Sequence, residues 1–152
     1  MKLTDIIARD CAKAAVSCSS KKRLFEYLCK LAHQHVPYIS IQVFLDVLCH
    51  REKLGSTGIG HGLAIPHARV DGLRQTIGFL LVNKTAIPFD AIDDKNVDIF
   101  LFLLVPEQTN QDHLQTLATI ADKLKNKDFC RQLRNAKNNN ELYQVINCEA
   151  NH

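Results

Sequence analysis

An uninterrupted apolar run in the second half of the chain constrains the fold most strongly. The segment VDIFLFLLVP (97–106) contains seven consecutive apolar residues, Ile99–Val105, and ends at a proline. Seven residues are far too few to cross a bilayer, and the run lacks the polar alternation of a half-exposed strand. It is typical of a strand that is buried on both faces. Because such a strand needs helices on both sides of its sheet, the sequence predicts an α/β fold.

Length and composition predict an ordinary globular domain. The chain has 152 residues, of which 46% are hydrophobic and 23% charged, and this length fits one domain that needs neither disulfides nor metal to fold. The N-terminus, MKLTDIIARD, meets an acidic residue at position 5 and lacks the apolar core of a signal peptide. We therefore expect a cytoplasmic protein that does not insert into a membrane.

Charge and cysteine spacing argue against nucleic-acid and metal binding. The net charge is only +3, and the densest basic stretch, SKKR (20–23), is typical of a solvated helix start. No cysteine pair has C-x-x-C spacing, and no cluster suits zinc. His33 and His35 are expected to be solvent-facing residues near a helix end. The cysteines are interpreted as small hydrophobic side chains in a reducing compartment.

Capping residues and apolar spacing predict two helices before residue 55. Ser19 or Ser20 can cap the first helix, which Pro37 ends. Ser40 can cap the second, IQVFLDVLCHREKL, and Arg51 falls in its last turn, where a cation suits the helix dipole. The side chains expected to face inward are Leu24, Leu28, Leu31, Ala32, Val43, Phe44, Val47 and Leu48.

The remaining pattern alternates strands and helices. TIGFLLVN (76–83) predicts a strand, and a weaker signal lies around residues 14–18. From Asp112, a plausible N-cap, the helical period resumes, and shorter helices are expected at 127–136 and 140–147. Turn residues are expected at Asp90, Asp93 and Asp94.

The segment GSTGIGHGLAIPHARV (55–70) carries the candidate functional residues. Its alternating glycines, Gly58, Gly60 and Gly62, could expose backbone amides in an anion-binding concavity, to which Ser56 and Thr57 would add hydroxyl donors. Pro66 restricts its own φ and the conformation of Ile65, and so fixes the direction of His67. On the residues alone, plain turns and a surface histidine remain an open alternative. Dinucleotide-binding, P-loop, metalloprotease and hydrolase signatures are absent from the sequence.

This segment closely resembles the active-site segment of the fructose/mannitol-type IIA components of the bacterial phosphoenolpyruvate-dependent phosphotransferase system. The resemblance continues through REKLGSTGIG, IPFDAIDDKNVDIFLFLLVP, HLQTLATIADKL and CRQLRNAKNNNELYQVI. It covers roughly Thr4 to Ile146 and is strongest to the nitrogen-regulatory branch. It implies a single IIA domain over residues 1–152, with a core of about 4–147. The implied fold is a central mixed, mostly parallel β-sheet with helices on both faces.

The resemblance also implies site roles. His67 would accept a phosphoryl group from the phosphohistidine of a histidine phosphocarrier protein, either the general one or its nitrogen-branch relative. Arg51 and His113 stand where the family has a supporting arginine and a second histidine. No cofactor is implied. Position 61 is often small or amidic in nitrogen-type relatives, and His61 therefore leaves open a second imidazole near the site or a different loop surface for partners.

Three functions are compatible with this resemblance. The first is a phosphoryl-accepting regulator whose phosphorylation state controls its binding to targets such as transporter components or sensor kinases. The second is an interaction module that works without phosphorylation. The third is a sugar-specific IIA component that donates its phosphoryl group to a IIB permease domain.

Overall fold

The computed structural model of the chain describes residues 2–108 and 112–150, with the side chains at 112–114 and 149–150 outside that description. Five α-helices and six strands lie within these residues. The strands are β1 (Ala12–Val16), β2 (Gly58–Gly60), β3 (Leu63–Ala64), β4 (His67–Val70), β5 (Ile77–Ile87) and β6 (Val97–Pro106). The helices are α1 (Lys21–His35), α2 (Ile41–Leu54), α3 (Asp112–Leu124), α4 (Lys127–Asn135) and α5 (Asn139–Ala150).

The strands form one mixed sheet in the order β1-β5-β6-β3-β2, with β4 also paired to β6. Three of the five pairings are parallel, and β2–β3 and β5–β6 are antiparallel. The predicted fold class, a mixed α/β sheet with helices packed on it, is confirmed. The antiparallel pairing of the two longest strands is a detail that the sequence pattern did not reveal.

Strand β6 is the centre of the core, as the apolar run predicted. Its residues from Ile99 to Leu104 have no exposed surface, although their side chains alternate between the two faces of the sheet. On one face, Phe25 of α1 packs edge-on against Phe102 with ring centroids 5.5 Å apart. Phe89 bridges Phe25 and Phe100 at 6.1 and 5.3 Å. Helix α1 therefore covers one side of the strand, and the burial of Leu101 and Leu103 shows that the opposite side is covered too.

Both predicted helix caps in the first third of the chain are confirmed. The Ser20 and Ser40 side chains each accept a hydrogen bond from the backbone amide three residues later, at 3.2 Å. Val43 was also expected to face inward. That prediction is wrong, because the Val43 side chain is 39% exposed. Helix α2 is a short amphipathic element, and its apolar residues extend beyond the face that packs on the sheet.

The later elements differ from expectation mainly at their ends. Strand β5 continues to Ile87 rather than stopping at 83, and α5 extends to Ala150. Strand β1 confirms the weak signal near residue 14 but begins two residues earlier. Asp112 lies within α3 as the structure assigns it, and the residue before it is outside the described chain. These boundaries depend on pairing partners, which a linear pattern does not specify.

Cysteines within the described residues are all free thiols. Burial raises the pKa of Cys11 to about 11 and that of Cys29 to about 12, so both thiols stay protonated at neutral pH. Groups of three His, Cys, Asp or Glu side chains arranged to hold a metal are absent from residues that the structure describes. The helices of the same residues include none that is long and apolar enough for a membrane span.

The burial of β6 predicts a large cost for truncating one of its aromatic residues. We expect Phe102→Ala to lower the free energy of unfolding by about 3–5 kcal/mol, because it removes a fully buried ring and leaves a cavity beside Phe25. Urea denaturation followed by circular dichroism measures this change. Ile92→Ala is the control, since Ile92 is 84% exposed and should change stability by less than about 0.5 kcal/mol. Equal effects of the two substitutions would contradict the proposed core.

Candidate functional site

His67 begins strand β4, directly after the buried Pro66. The Pro66 carbonyl accepts a hydrogen bond from the Leu103 amide at 2.9 Å, and His67 is in register with Leu103 of β6. The next residue, Ala68, is buried, whereas His67 is half-buried. The proline and the sheet pairing thus hold the His67 backbone against the most rigid strand of the fold and leave its ring partly open to solvent.

Two hydrogen bonds determine the tautomer of the His67 ring. Its Nδ1 lies 2.8 Å from the Ile65 carbonyl oxygen, which can only accept, so Nδ1 carries the proton and donates. The Nε of Arg51 donates to Nε2 of His67 at 3.3 Å. Because a guanidinium can only donate, Nε2 carries a lone pair. Both contacts therefore indicate the same neutral ring, with Nε2 as its nucleophilic atom.

Arg51 connects the end of α2 to this ring. Its Nη1 donates to the carbonyl of Gly55, the C-cap residue of α2, at 2.9 Å. The sequence left two interpretations of Arg51 open, a complement to the helix C-terminus and a site residue. One guanidinium occupies both positions, because the C-terminal bond through Nη1 leaves Nε directed at His67. The arginine is thus already oriented toward His67 before any ligand arrives.

A cavity of about 410 Å³ lies beside this pair, between α2 and strands β4 and β6. Its only acidic lining residue among the described side chains is Asp46, which accepts a hydrogen bond from Gln42 at 2.7 Å. The lining residues are Asp46, Val47, His50, Arg51, Leu54, His67, Ala68, Arg69, Leu103 and Val105. Two arginines against one carboxylate give the cavity a positive charge, which makes it suitable for an anion.

The glycine segment is predicted to form a phosphate-binding loop beside His67. Among the described residues, the cavity at His67 is lined by none of residues 56–62. The Ser56 hydroxyl donates to the Phe89 carbonyl at 2.8 Å and accepts from the Gly58 amide at 3.1 Å. A Cβ at Gly58 would lie 2.7 Å from the Cβ of Ala91, so this glycine permits a close approach of two backbone segments. The structure therefore places Arg51 against His67, and the phosphate-binding role of residues 56–62 stays a prediction.

Residues 60–62 of the glycine segment contact Asp93 and Arg134 instead of the cavity at His67. His61 has a φ of 57°, in the left-handed region, and its amide donates to Asp93 at 3.0 Å. Arg134 donates to the His61 carbonyl at 3.0 Å while forming a bidentate ion pair with Asp98. A Cβ at Gly62 would lie 2.6 Å from the Arg134 guanidinium. Gly60 and Gly62, both with positive φ, thus form a tight turn that Arg134 and Asp93 hold in place.

Glu52 is a supporting residue that sequence reasoning missed. Its carboxylate is 7% exposed, accepts from Lys21 Nζ at 2.7 Å and from the Thr57 amide at 3.2 Å, and also bonds the Thr57 hydroxyl. Thr57 is therefore a partner of Glu52, and its role as a phosphate donor stays a prediction. A signal was present in the sequence: an acidic residue in the last turn of a helix opposes the dipole and needs a cationic partner. This ion pair joins the end of α2 to the start of α1.

His113, the remaining predicted site residue, belongs to the first turn of α3, and its side chain lies outside the described residues. Its predicted role beside His67 stays a prediction.

Residues 5–148 match the family model described as "Phosphoenolpyruvate-dependent sugar phosphotransferase system, EIIA 2". The chain belongs to this family. The resemblance inferred from STGIGHGLAIPHARV is confirmed over nearly the whole length of this IIA protein.

Relatives of this IIA protein include the "Nitrogen regulatory protein" of Escherichia coli (strain K12). It is 42% identical over 148 residues, which cover 96% of this chain and 90% of the relative. The "PTS system fructose-specific EIIA component" of Haloferax volcanii is 30% identical over 128 residues, 84% of this chain and 83% of the relative. A crystal structure of the nitrogen regulatory protein IIA-Ntr from Neisseria meningitidis superposes with a TM-score of 0.86 at 33% identity, covering 95% and 98% of the two chains.

The hydrogen bonds at the ring predict a single neutral tautomer. In long-range proton–nitrogen NMR spectra above the titration of the ring, we expect His67 to carry its proton on Nδ1 and to show an unprotonated Nε2. His67→Gln identifies the signals by their loss. A ring that is protonated on Nε2 would contradict the described geometry.

The buried Glu52 carboxylate predicts a stability cost larger than that of a surface ion pair. Glu52→Ala should lower the free energy of unfolding by about 2–4 kcal/mol, because it removes the partner of Lys21 and leaves the Thr57 amide unsatisfied. Glu52→Gln keeps an acceptor for Thr57 and should cost less. The control is Arg131→Ala, which breaks an exposed pair with Asp128 and should cost less than about 1 kcal/mol in the same urea titration. A loss at Glu52 no larger than that control would show that this network does not stabilise the fold.

Proposed function

We propose that this IIA protein accepts a phosphoryl group on Nε2 of His67 from the phosphohistidine of a histidine phosphocarrier protein. The observation that supports the proposal is the Arg51–His67 pair: a ring nitrogen with a lone pair faces an anion-compatible cavity, beside a guanidinium 3.3 Å away. Membership of the phosphotransferase IIA family supports the same reaction.

The transfer follows from the tautomer. As the phosphoryl group arrives, the hydrogen bond from Arg51 Nε–H to Nε2 breaks and frees the lone pair of that nitrogen. The lone pair attacks phosphorus, a new N–P bond forms, and the N–P bond to the carrier's histidine breaks, with its electron pair returning to the carrier's nitrogen. The His67 ring gains positive charge as the new bond forms. The hydrogen bond from Nδ1–H to the Ile65 carbonyl stabilises this charge and keeps the ring in its orientation during transfer.

Arg51 supplies positive charge for the phosphoryl oxygens in this proposal. Phosphoryl transfer depends mainly on alignment and charge stabilisation, and a fixed guanidinium offers forked donors that match phosphate. Each charge-assisted hydrogen bond contributes about 1.5–3 kcal/mol. His50 and Arg69 add basic groups at the cavity wall. The glycine segment, from Ser56 to Gly62, then acts by shaping the chain between α2 and β4 rather than by holding the phosphate itself.

The mouth of the cavity offers a docking surface for the carrier. Leu54 lines the cavity and is 74% exposed at the end of α2, and Val43 is 39% exposed on the same helix. An apolar side chain beside the half-buried Arg51–His67 pair is suited to excluding water when a second protein covers the site. Transfer between two proteins requires such exclusion, since water competes for the phosphoryl group.

We further propose that phosphorylation controls which regulatory targets bind. A phosphoryl group adds about −1.5 to −2 charges at a surface that Arg51, His50 and Arg69 make basic. Targets that present acidic groups there would bind the unmodified protein, and phosphorylation would release them. The 42% identity to a nitrogen regulatory protein supports this regulatory role.

A sugar-specific role is the second candidate, and the 30% identity to a fructose-specific IIA component supports it. In that case His67 would pass its phosphoryl group to a IIB domain. Incubation of the phosphorylated protein with purified IIB proteins distinguishes the two roles. Rapid transfer to a IIB protein would favour sugar uptake.

The proposed reaction is tested by reconstitution with phosphoenolpyruvate, the first phosphotransferase enzyme and a phosphocarrier protein. We expect a mass gain of one phosphate, and the phosphate should be acid-labile and alkali-stable. The gain should be abolished in His67→Ala. In Arg51→Ala the rate of phosphorylation should fall by about 100-fold. Intact-protein mass spectrometry over time measures both effects.

A matched control separates the role of Arg51 from a general loss of positive charge. Arg74→Ala removes an arginine that lies over the Tyr38 ring, at 4.6 Å, away from the cavity, and should leave the rate unchanged. Phosphorylation that persists in a folded His67→Ala variant would place the acceptor at another residue and overturn the proposal.

A further inference from the structure

A second and larger cavity, of about 800 Å³, lies between the β2–β3 turn and the end of α3 with α4. We call it the lysine groove. Its described lining residues are Ile59, Gly60, His61, Leu63, Lys95, Ala121, Leu124, Lys125, Lys127, Cys130 and Arg134. None of these residues lines the cavity at His67. The groove includes Ile59, Gly60 and His61 of the glycine segment.

The walls of the groove are held rigidly. The backbone of His61 is fixed on one side by Asp93 and on the other by Arg134, so the imidazole, which is exposed, projects from a constrained left-handed position. Arg134 is itself anchored to Asp98 through Nε and Nη2, at 2.9–3.1 Å. A cavity whose walls are preformed loses little conformational entropy when a ligand enters.

The charge around the groove is positive and largely uncompensated. Lys95, Lys125 and Lys127 are exposed, and within the described chain no carboxylate lies within the 4.0 Å of an ion pair to their ammonium groups. Of the nearby acids, Asp98 is paired with Arg134. Asp93 accepts hydrogen bonds from the amides of His61 and then Lys95, which lower the pKa of its carboxyl group and keep it ionised. The charge of Lys95 also lowers the pKa of Asp93, to a smaller extent than the two amides, so Asp93 partly compensates Lys95. Lys125 and Lys127 carry the remaining positive charge of the groove.

The floor of the groove is apolar. Leu63 and Leu124 are buried at 4% and 2% exposure and close the bottom, and Ile59 is 40% exposed at the rim. Cys130 is also buried there, and desolvation raises the pKa of its thiol, which therefore remains neutral. Cationic groups at the rim above an apolar floor suit a ligand with an anionic group on a carbon skeleton.

We propose that the lysine groove binds a small organic phosphate. Its phosphate would lie among Lys95, Lys125 and Lys127, and its apolar part would lie on Leu63 and Leu124. The volume falls within the roughly 300–1,000 Å³ of small-molecule sites, and a lysine ammonium binds phosphate as a compact point charge.

The groove is separate from the phosphoryl site and does not rest on the function proposed above. Along β6, Leu63 is in register with Ile99 and His67 with Leu103. Four residues of a strand span roughly 13 Å. A ligand in the groove would therefore bind without contacting the Nε2 atom of His67.

The test is an NMR titration of the uniformly ¹⁵N-labelled full chain with 1-naphthyl phosphate as the organic phosphate. We expect saturable shifts of the amides at 59–63, 95 and 124–130, with weaker binding of both 1-naphthol and inorganic phosphate, which each lack one half of the ligand. In Lys125→Gln/Lys127→Gln the dissociation constant should rise by roughly tenfold or more, because two charge-assisted contacts are lost. Lys30→Gln/Lys84→Gln, at two exposed lysines outside the groove, is the matched control and should bind as the parent does.

Several outcomes would overturn the proposal. Equal losses in the two double variants would show a general charge effect, and inorganic phosphate binding as tightly as 1-naphthyl phosphate would exclude a role for the apolar floor. Shifts confined to residues near Arg51 and His67 would place the anion at the phosphoryl site. Shifts at the groove produced by an acidic peptide but not by 1-naphthyl phosphate would make the groove a protein-docking surface. His67→Ala serves as a further variant, and its binding at the groove should be unchanged.

Discussion

Burial of β6 on both faces is the constraint from which the position of the site follows. A strand without exposed residues tolerates no slip in register, because a slip of one residue would exchange its two faces. Strands β3 and β4 pair with β6 at Leu63 and at His67, so the chain between them, with its glycines and Pro66, must bridge a fixed distance. The location of the imidazole is therefore a property of the core rather than of the surface loop that precedes it.

Two adjacent residues at the end of α2 have different roles: one contacts the candidate site, and the other stabilises the fold around it. Arg51 faces His67, and Glu52 faces Lys21 and Thr57. The carboxylate is nearly buried and compensated, and so it holds the last turn of α2 in place while the neighbouring guanidinium remains at the cavity. Lys21 also lies over the Phe89 ring at 4.2 Å, which connects this ion pair to the aromatic cluster around Phe102. Lys21 thus links the charged residues at the end of α2 to the aromatic side chains of the core.

Local signals in the sequence were sufficient for most of the elements, whereas the placement of Arg51 beside His67 was an implication of the family resemblance. Ser20 and Ser40 define their helices through bonds within one turn, and the apolar run identifies β6 by composition alone. The surroundings of the glycine segment could not be predicted, because its neighbours Asp93, Ala91 and Arg134 are distant in sequence and look like ordinary turn or surface residues. A glycine that leaves room for a ligand and a glycine that leaves room for a neighbouring backbone look the same in the sequence. Only the tertiary structure distinguishes the two cases.

The acceptor for Nδ1–H of His67 is the carbonyl of Ile65, two residues earlier in the same strand-like segment. The orientation of the ring is therefore set by residues next to it in the chain, since Pro66 restricts the backbone conformation of Ile65. Under the proposed function, a donor protein would not need to reorganise the ring on arrival, and any donor that reaches the cavity would meet the same atom. Selection among phosphate donors would then depend on the rim of the cavity, where Leu54 is exposed.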